Sequence, residues 1–497
     1  MNVILVGSEV FPFAKTGGLA DVIGALPRAL EQQGHGAAVF LPAYKATKQQ
    51  RPYPVPTGLN VRVALGPRMV EGSILASHLP GSTVPVYLID QPEFFDRDGI
   101  YGQGGADYSD NCARFIFFAR AVLEAIRLLD LRPDVLHCND WQTGLIPVYL
   151  EEQYRARARR LATVGTVMTI HNLAFQGSFW HWDMPLTGLD WPLFHWQKLE
   201  CYGRLNFLKA GLVYADLINT VSPTYAAEIQ TPEYGRGLDG LLRTRSKDLS
   251  GIVNGIDPAV WDPAIDPHLA GRNYDRQNLV AGKAASKAYL QRRCDLPVRA
   301  DVPVFAQIGR LDSQKGWDLL VDVADGLLSG DAQMVVLGEG NPYFHDRLGH
   351  LAAKHPGKLR TFLEFSTPLA HQIEAGADLF LMPSLYEPCG LNQLYSLAYG
   401  TVPIVRATGG LADTVVDATP EALASGQATG FSFRDPTPGA LWGAIERALA
   451  LWADKPAWRR LMANGMAADW SWDRSARSYV ALYEAARSRH ASARAAG

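Results

Sequence analysis

The residues able to do chemistry gather where short apolar runs end. Lys15-Thr16-Gly17-Gly18-Leu19-Ala20-Asp21 follows the first apolar run and opens a helical pattern. Thr16–Asp21 recurs residue for residue as Thr408-Gly409-Gly410-Leu411-Ala412-Asp413. Paired glycines let backbone N–H groups come close to a ligand, and the start of a helix favours an anion. A phosphate or a sugar oxygen is the natural guest; a glycine turn needed only for packing is the plainer alternative. Neither copy is a Walker loop or carries the Gly-x-Gly-x-x-Gly spacing, which argues against ATPases and dehydrogenases. The copies lie far apart, so similar local demands explain them better than duplication does.

A second set lies later in the chain. Arg310 and Lys315 flank a turn at a spacing that can clamp a diphosphate, the guanidinium as a fork and the ammonium as a mobile point charge. Solvated surface charges are the alternative. In Ser384-Leu385-Tyr386-Glu387-Pro388-Cys389-Gly390-Leu391, the carboxylate of Glu387 can accept hydrogen bonds from sugar hydroxyls. Gly390 and Leu391 present N–H groups at a helix start. A carboxylate that merely complements the helix dipole is the alternative for Glu387, and Cys389 reads as a small buried filler. Asp140, His171 with Asn172, Arg310, Glu339 and Glu387 all stand at predicted strand ends, where open parallel sheets bind ligands. A lone histidine there is ordinarily a satisfied structural group; the set together points to a ligand cleft between two sheets.

The elements that must position these residues alternate strand and helix. Val3–Val6, Ala37–Leu41, Val84–Ile89, Val135–Cys138, Val164–Ile170 and Leu217–Val221 read as strands of one series. Phe115, Phe118, Val122, Ala125, Ile126 and Leu129 mark one face of a helix between them. Val302–Ile308, Met334–Leu337, Leu359–Phe362, Leu379–Met382 and Val402–Val405 form a second series. Such alternation predicts an α/β protein with parallel sheets covered by helices, in two Rossmann-like domains. The expected divisions are 1–250, 251–469, a final helix over 470–487 and a frayed tail over 488–497.

Composition narrows the function classes. The chain has 497 residues with 47 Lys+Arg against 50 Asp+Glu, a net charge of −3, which argues against a nucleic-acid binder with a broad basic surface. That charge is no barrier to self-association, so a homo-oligomer is allowed. Five scattered cysteines without a Cys-x-x-Cys pair suit a reducing compartment better than a disulfide framework or a zinc ribbon. Neither a secretory leader nor an apolar stretch long enough for a membrane span is visible, so a cytoplasmic protein without membrane contact is expected. Asp96-Arg97-Asp98 before Gly99 reads as a polar turn, and no metal is predicted. Trp180, Trp182, Trp191 and Trp196 can stack on sugars, but core or lid packing is the plainer expectation for such large rings.

Lys15–Asp21, Thr169-Ile170-His171-Asn172, Gly255-Ile256-Asp257, the Arg310/Lys315 loop and Glu387-Pro388-Cys389-Gly390-Leu391 together resemble bacterial glycogen synthases and plant starch synthases. The order and spacing match from Met1 to about Tyr483. The resemblance implies a GT-B fold, two Rossmann-like domains facing across a deep cleft, the first on the acceptor side and the second on the donor side. It implies transfer of glucose from ADP-glucose to the non-reducing end of an α-1,4-glucan, with retention of configuration and neither metal nor cofactor. It places His171, Glu387, Arg310, Lys315 and Asp140 in catalysis. It places Lys15, Gly17, Gly18, Asp21, Asn172, Asn254, Cys389, Gly390, Leu391, Thr408, Gly409 and Gly410 in substrate binding. The final helix is expected to cross back to the first domain. The wider retaining group has a second Glu eight positions after the first; here Tyr395 stands there, as in the glycogen and starch synthase branch.

Overall fold

The computed structural model describes residues 1–158 and 160–496, which form two compact units. Unit 1 comprises Met1–Val221, Ala226–Gly255 and the C-terminal segment from Trp472; unit 2 comprises Ser222–Tyr225 and Ile256–Ser471. No described helix is long and apolar enough to cross a membrane.

Unit 1 is built on nine strands: β1 (Asn2–Val6), β2 (Gly36–Pro42), β3 (Val55–Leu65), β4 (Arg68–His78), β5 (Pro85–Asp90), β6 (Val135–Asn139), β7 (Gly165–Ile170), β8 (Leu217–Thr220) and β9 (Leu249–Gly251). Their order is β9-β8-β7-β6-β1-β2-β5-β4-β3. Strands β9 through β5 are parallel, and the β3–β4 hairpin continues the edge antiparallel. The central strands are buried on both faces, hence their unbroken runs of Val, Ile and Leu. Helix α1 (Gly18–Gln32) and helix α2 (Asn111–Leu128) follow the glycine loop and the β-hairpin region. The hairpin is absent from the sequence reading because its burial alternates and its edge is largely exposed.

Unit 2 carries β10 (Val304–Ile308), β11 (Gln333–Leu337), β12 (Leu359–Phe362), β13 (Leu379–Met382), β14 (Val402–Arg406) and β15 (Phe431–Phe433) in the order β12-β11-β10-β13-β14-β15, all parallel. Its helices include α3 (Leu279–Arg293), α4 (Trp317–Ser329), α5 (Asn392–Ala398), α6 (Gly409–Thr414) and α7 (Lys455–Ala467). Among the parallel strands of each unit the order reverses at one place, between β1 and β6 in unit 1 and between β10 and β13 in unit 2. Ligands of open parallel sheets bind at such switch points, beyond the carboxyl ends of the strands.

The last helix, α8 (Trp472–Ala496), belongs to the core of unit 1. Trp472, Ala476, Tyr479, Leu482, Tyr483 and Ala486 repeat at helical spacing and pack with Val3, Leu5 and Val167. Tyr483 donates or accepts at His137 Nδ1 (2.9 Å), and His137 Nε2 meets Thr169 Oγ1 (2.7 Å). Burial pushes His137 down to about 3, so it stays a neutral linker between sheet and helix.

Two boundary expectations are corrected. The first division falls at Gly255/Ile256 rather than 250/251, because Leu249–Gly251 is still a strand, and the second falls at Ser471/Trp472. Ile256 N–H donates to Trp470 O (2.8 Å), and Ile256 pairs with Ser471, so the outgoing and returning chain segments lie side by side. The tail expected to fray from Ser488 instead continues the helix through Ala496, and Gly497 lies outside the described residues. The physical reason is His490, which is buried and lies 3.3 Å from the Asp216 carboxylate.

Removing the Tyr483 hydroxyl with Tyr483→Phe is expected to cost about 1 kcal/mol. Tyr483→Ala, which also opens a cavity, is expected to cost about 3–5 kcal/mol. Urea unfolding followed by a probe in unit 1 measures both.

Candidate active site

In unit 1 the chain leaves β1 and runs into a buried carboxylate. Glu9 is 4% exposed, and its two oxygens hold the glycine loop. Oε2 accepts the N–H groups of Thr16 (2.5 Å) and Gly17 (3.1 Å). Oε1 accepts the hydroxyls of Thr16 (2.6 Å) and Tyr101 (2.6 Å). A carboxylate taken out of water needs such donors. Here they are the loop itself, so the ion and the loop conformation stabilise each other. A Cβ added at Gly17 or Gly18 would meet no atom within 4 Å, so these glycines open space rather than fill it.

Lys15 pairs with Asp21 (2.6 Å) beside this loop and lies over the Phe11 ring. Burial pushes the Asp21 carboxyl above its ordinary range; Lys15 opposes the shift and Glu9 adds to it.

Across the switch point, Asp140 follows β6 with φ 57° and ψ −180°, a conformation that a residue with a side chain rarely adopts. Such backbone costs on the order of 1–3 kcal/mol and persists where surrounding contacts over-determine it. The contacts are Asp140 N–H to Thr169 O (3.0 Å) and His171 N–H to Asp140 Oδ1 (2.8 Å), with the Asn172 N–H also aimed at the carboxylate. Burial raises Asp140 to about 7; the two N–H groups pull it down and Glu9 pushes it further up.

Asn139 gives its amide to Val6 O and His137 O (3.1 Å each), which leaves its Oδ1 to accept from His171 Nε2 (2.9 Å). That network assigns the proton of His171 to Nε2 and leaves Nδ1 as an acceptor. Burial lowers His171 to about 3, so the ring is neutral. Asn172 turns its Oδ1 to the N–H of Ala174 (3.0 Å) and shapes the loop. Asn254 is buried with its carboxamide oxygen unpaired by any described residue.

Unit 2 assembles its own cluster beyond β10 and β13. Asp312 caps a short turn by accepting Lys315 N–H (3.2 Å), Gly316 adopts φ 71°, and Lys315 is thereby aimed back at Glu387. Lys315 Nζ and Ser384 Oγ both reach Glu387 Oε2, at 2.6 and 3.1 Å. Glu387 is 5% exposed, and its Oε1 accepts from no described residue. One oxygen of the carboxylate thus stays open. The Arg310 side chain is 57% exposed and, among the described residues, bonds Asp312 through Nε, with its terminal nitrogens turned to no described partner.

Cys389 is buried, as a filler would be. Gly390 adopts φ 71°, and Gln393 ties the carbonyls of Cys389 and Gly390 to α5 (3.1 and 3.0 Å). Gly390 and Leu391 thus precede a helix whose first N–H groups have no intrahelical acceptors.

The second copy of the glycine motif behaves unlike the first. Gly409 adopts φ 45°, and a Cβ there would lie 2.0 Å from Glu387 O; one at Gly410 would lie 2.1 Å from Cys389 O. Gly410 N–H donates to Glu387 O and Pro388 O (3.1 Å each), and Thr408 is buried. Thr408–Gly410 therefore form the floor on which Glu387–Gly390 rests. The expectation of similar local demands is corrected: identical residues open space in unit 1 and permit close backbone packing in unit 2.

The tryptophans also depart from expectation. Trp180, Trp182, Trp191 and Trp196 are 46–65% exposed rather than packed in a core. Trp180 ends a short strand, Trp182 and Trp191 lie in 3-10 helices, and Trp196 lies in a turn, on a small outlying substructure rather than within the main sheet's core. Trp182 and Trp191 meet edge to face at 5.7 Å. The support beneath is rigid: the buried ammonium of Lys209 donates to Trp196 O and Glu200 O (2.5 Å each). Glu9, Asn139 and Ser384 hold the glycine loop, His171 and Glu387 in place, and the sequence reading gave them no role; only Glu9, an acid among apolar residues just after β1, left a signal there.

The family model for the starch synthase catalytic domain matches residues 2–244, and that for glycosyl transferases group 1 matches residues 290–463. The chain is similar to a glycogen synthase of Rhodopirellula baltica, 46% identical over 97% of each chain. It is 49% identical to a glycogen synthase of Anaeromyxobacter dehalogenans, over 97% of this chain and 99% of that one. Among solved structures, the catalytic domain of Starch Synthase IV from Arabidopsis thaliana bound to ADP and acarbose superposes with a TM-score of 0.89 at 32% identity, covering 98% and 99% of the two chains. The sucrose-phosphate synthase of Thermosynechococcus elongatus, at 18% identity and a TM-score of 0.59, shares the fold.

Asp140→Asn is expected to alter the pH dependence of stability. With its folded pKa at about 7 and an unfolded value near about 4, Asp140 keeps a proton that the unfolded chain releases. Its contribution to stability therefore falls as pH rises through that window. Unfolding free energies at several pH values should show Asp140→Asn gaining on the wild type between pH about 4 and about 7.

Proposed function

The chain belongs to the family of bacterial glycogen synthases and plant starch synthases, with its GT-B fold, and we propose that it transfers glucose from ADP-glucose to the non-reducing end of an α-1,4-glucan. It is a retaining hexosyltransferase. The observation that carries this reading is the Lys315–Glu387 pair at the switch point of unit 2, with Glu387 Oε1 left open. An acid beside a cation suits a sugar attached to a diphosphate: hydroxyls meet the carboxylate and phosphate oxygens meet the ammonium.

Arg310 and Lys315 hold the diphosphate and stabilise the charge that grows on it as the glycosidic bond breaks. Glu387 orients the glucose hydroxyls, with the N–H groups of Gly390 and Leu391 beside it. Thr408, Gly409 and Gly410 support that loop from below, and Cys389 anchors it.

In unit 1 Glu9 holds the Gly17 side of the loop, so the N–H groups at the start of α1 from Gly18 onward and the Lys15 ammonium, steadied by Asp21, are offered to a phosphate or glucan oxygen. Asp140 fixes the His171 loop, and neutral His171 accepts a sugar hydroxyl at Nδ1 rather than delivering a proton. Asn172 and Asn254 complete the polar lining. A glycosidase-style carboxylate pair has no support in the sequence, and no residue there reads as a covalent nucleophile. The acceptor hydroxyl therefore attacks from the face the diphosphate leaves, and its proton passes to a phosphate oxygen. Configuration is retained without a glycosyl-enzyme. Substrates alone supply this chemistry; no metal or cofactor takes part.

The exposed tryptophan platform holds the glucan. Flat rings on a rigid support can cover the apolar faces of successive glucose units.

Incubation with glycogen and either ADP-glucose or UDP-glucose, with nucleotide release and chain lengthening measured together, tests the reading. ADP release matched by elongation is expected; its absence from folded protein would overturn the proposal. Arg310→Ala and Lys315→Ala are each expected to lower kcat by about 10²–10³-fold, the loss typical of one preorganised charge-stabilising group. Trp182→Ala with Trp191→Ala is expected to raise KM for glycogen several-fold, at about 1 kcal/mol for the ring pair, and to leave KM for the nucleotide sugar unchanged.

A further inference from the structure

Unit 2 has a second concentration of positive charge outside the Arg310/Lys315 cluster. A cavity of about 200 Å³ lies between α3 and α7, lined by Lys283, Lys287, Lys455 and Arg459 with one carboxylate, Asp378, and with Trp452 as an apolar wall. That is room for roughly six waters at liquid density. Lys283 and Lys287 project from the same face of α3, each only 6% exposed. Buried ammonium groups ordinarily come with enough acids to neutralise them.

Here the accounts do not balance. Asp378 serves Lys287 (2.7 Å) and is also the acceptor for Val304 N–H (2.8 Å). Lys283 has neutral partners, Ala377 O (2.6 Å) and Thr401 Oγ1 (2.5 Å). The nearby Glu374 carboxyl is pushed up to about 8 by burial and is therefore protonated at neutral pH. Lys283 is driven down to about 7 by burial and so is only partly charged at neutral pH, and Lys455 is lowered by burial as well. The unmatched charge sits chiefly at the mouth, where Lys455 and Arg459 stand one turn apart on α7; Lys455 lies over the Trp452 ring, and neither makes an ion pair with a described residue.

We infer that this cavity binds a small phosphorylated molecule, whose dianionic phosphate lies between Lys455 and Arg459 over the lysines of α3. Two long cations one turn apart can converge on one phosphate, and Lys287 below adds attraction without competing for the same oxygens. Val280, Val298 and Met462 in the lining give an ester's carbon chain a place that free phosphate would leave empty.

The test is calorimetric titration of the full chain with inorganic phosphate and, separately, glycerol 3-phosphate. Both are done at matched ionic strength, with saturating ADP to occupy the donor side. One phosphate per chain is expected, with binding weakened by about tenfold or more in the Lys455→Ala/Arg459→Ala double variant. That variant should keep the wild-type melting temperature and basal glucosyl transfer. Tighter binding of the ester assigns the site to phosphorylated metabolites; equal binding assigns it to free phosphate, and both support an anion site. Titrations without saturable heat, or double-variant binding equal to wild type, would overturn the inference. These binding readouts do not depend on turnover, so they stand apart from the fate of the glucosyltransferase reading.

Discussion

The Glu9 carboxylate cannot be solvated by water, and unit 1 is arranged around that constraint. Its donors are the backbone of the glycine loop and the hydroxyls of Thr16 and Tyr101, so the loop cannot relax without stranding a buried charge. Burial holds Asp21 and Asp140 above their ordinary range, and the Glu9 charge adds a smaller push to both. One acid thus sets the shape of the ligand loop and reinforces the shifts of its neighbours. Strand order explains why they meet: β1 and β6 are adjacent at the place where the sheet reverses direction of growth.

Unit 2 solves a similar problem with different parts. Its buried acid, Glu387, is held by a lysine from the next strand's loop and by a serine three residues before it. Its glycines are pressed under the acid instead of standing open beside it. A buried charge pair of this kind is not chosen for stability, since an apolar pair would serve as well. It makes sense as a part kept ready for a ligand with both hydroxyls and negative charge.

Much of this was legible in the sequence because parallel strands buried on both faces announce themselves and their carboxyl ends are where ligands bind. Asp140, His171, Asn172, Arg310, Glu339 and Glu387 could be marked by that rule, and Lys315 by its spacing from Arg310 around a turn. What stayed hidden depended on neighbours. Thr16–Asp21 and Thr408–Asp413 are the same letters, and only three-dimensional surroundings distinguish an open glycine from a packed one. Glu9 lacks a spacing motif, and Asn139 looks like any strand-end amide until His171 is opposite it. The tryptophans are apolar enough to suggest burial, yet the short strand and 3-10 segments that carry them leave the rings exposed. The β3–β4 hairpin escaped because half of each strand faces water.

The outgoing segment at Ile256 and the returning segment at Ser471 lie side by side, and α8 then completes the core of unit 1. In topological terms unit 2 is an insertion within unit 1. A chain emerging from the ribosome therefore exposes a finished unit 2 while unit 1 still lacks its last helix. The usual order of synthesis, first domain folded first, is inverted here. Until Tyr479 and Tyr483 arrive, the sheet face around His137 and Val167 stays uncovered, an apolar surface exposed for the whole time that unit 2 is being made.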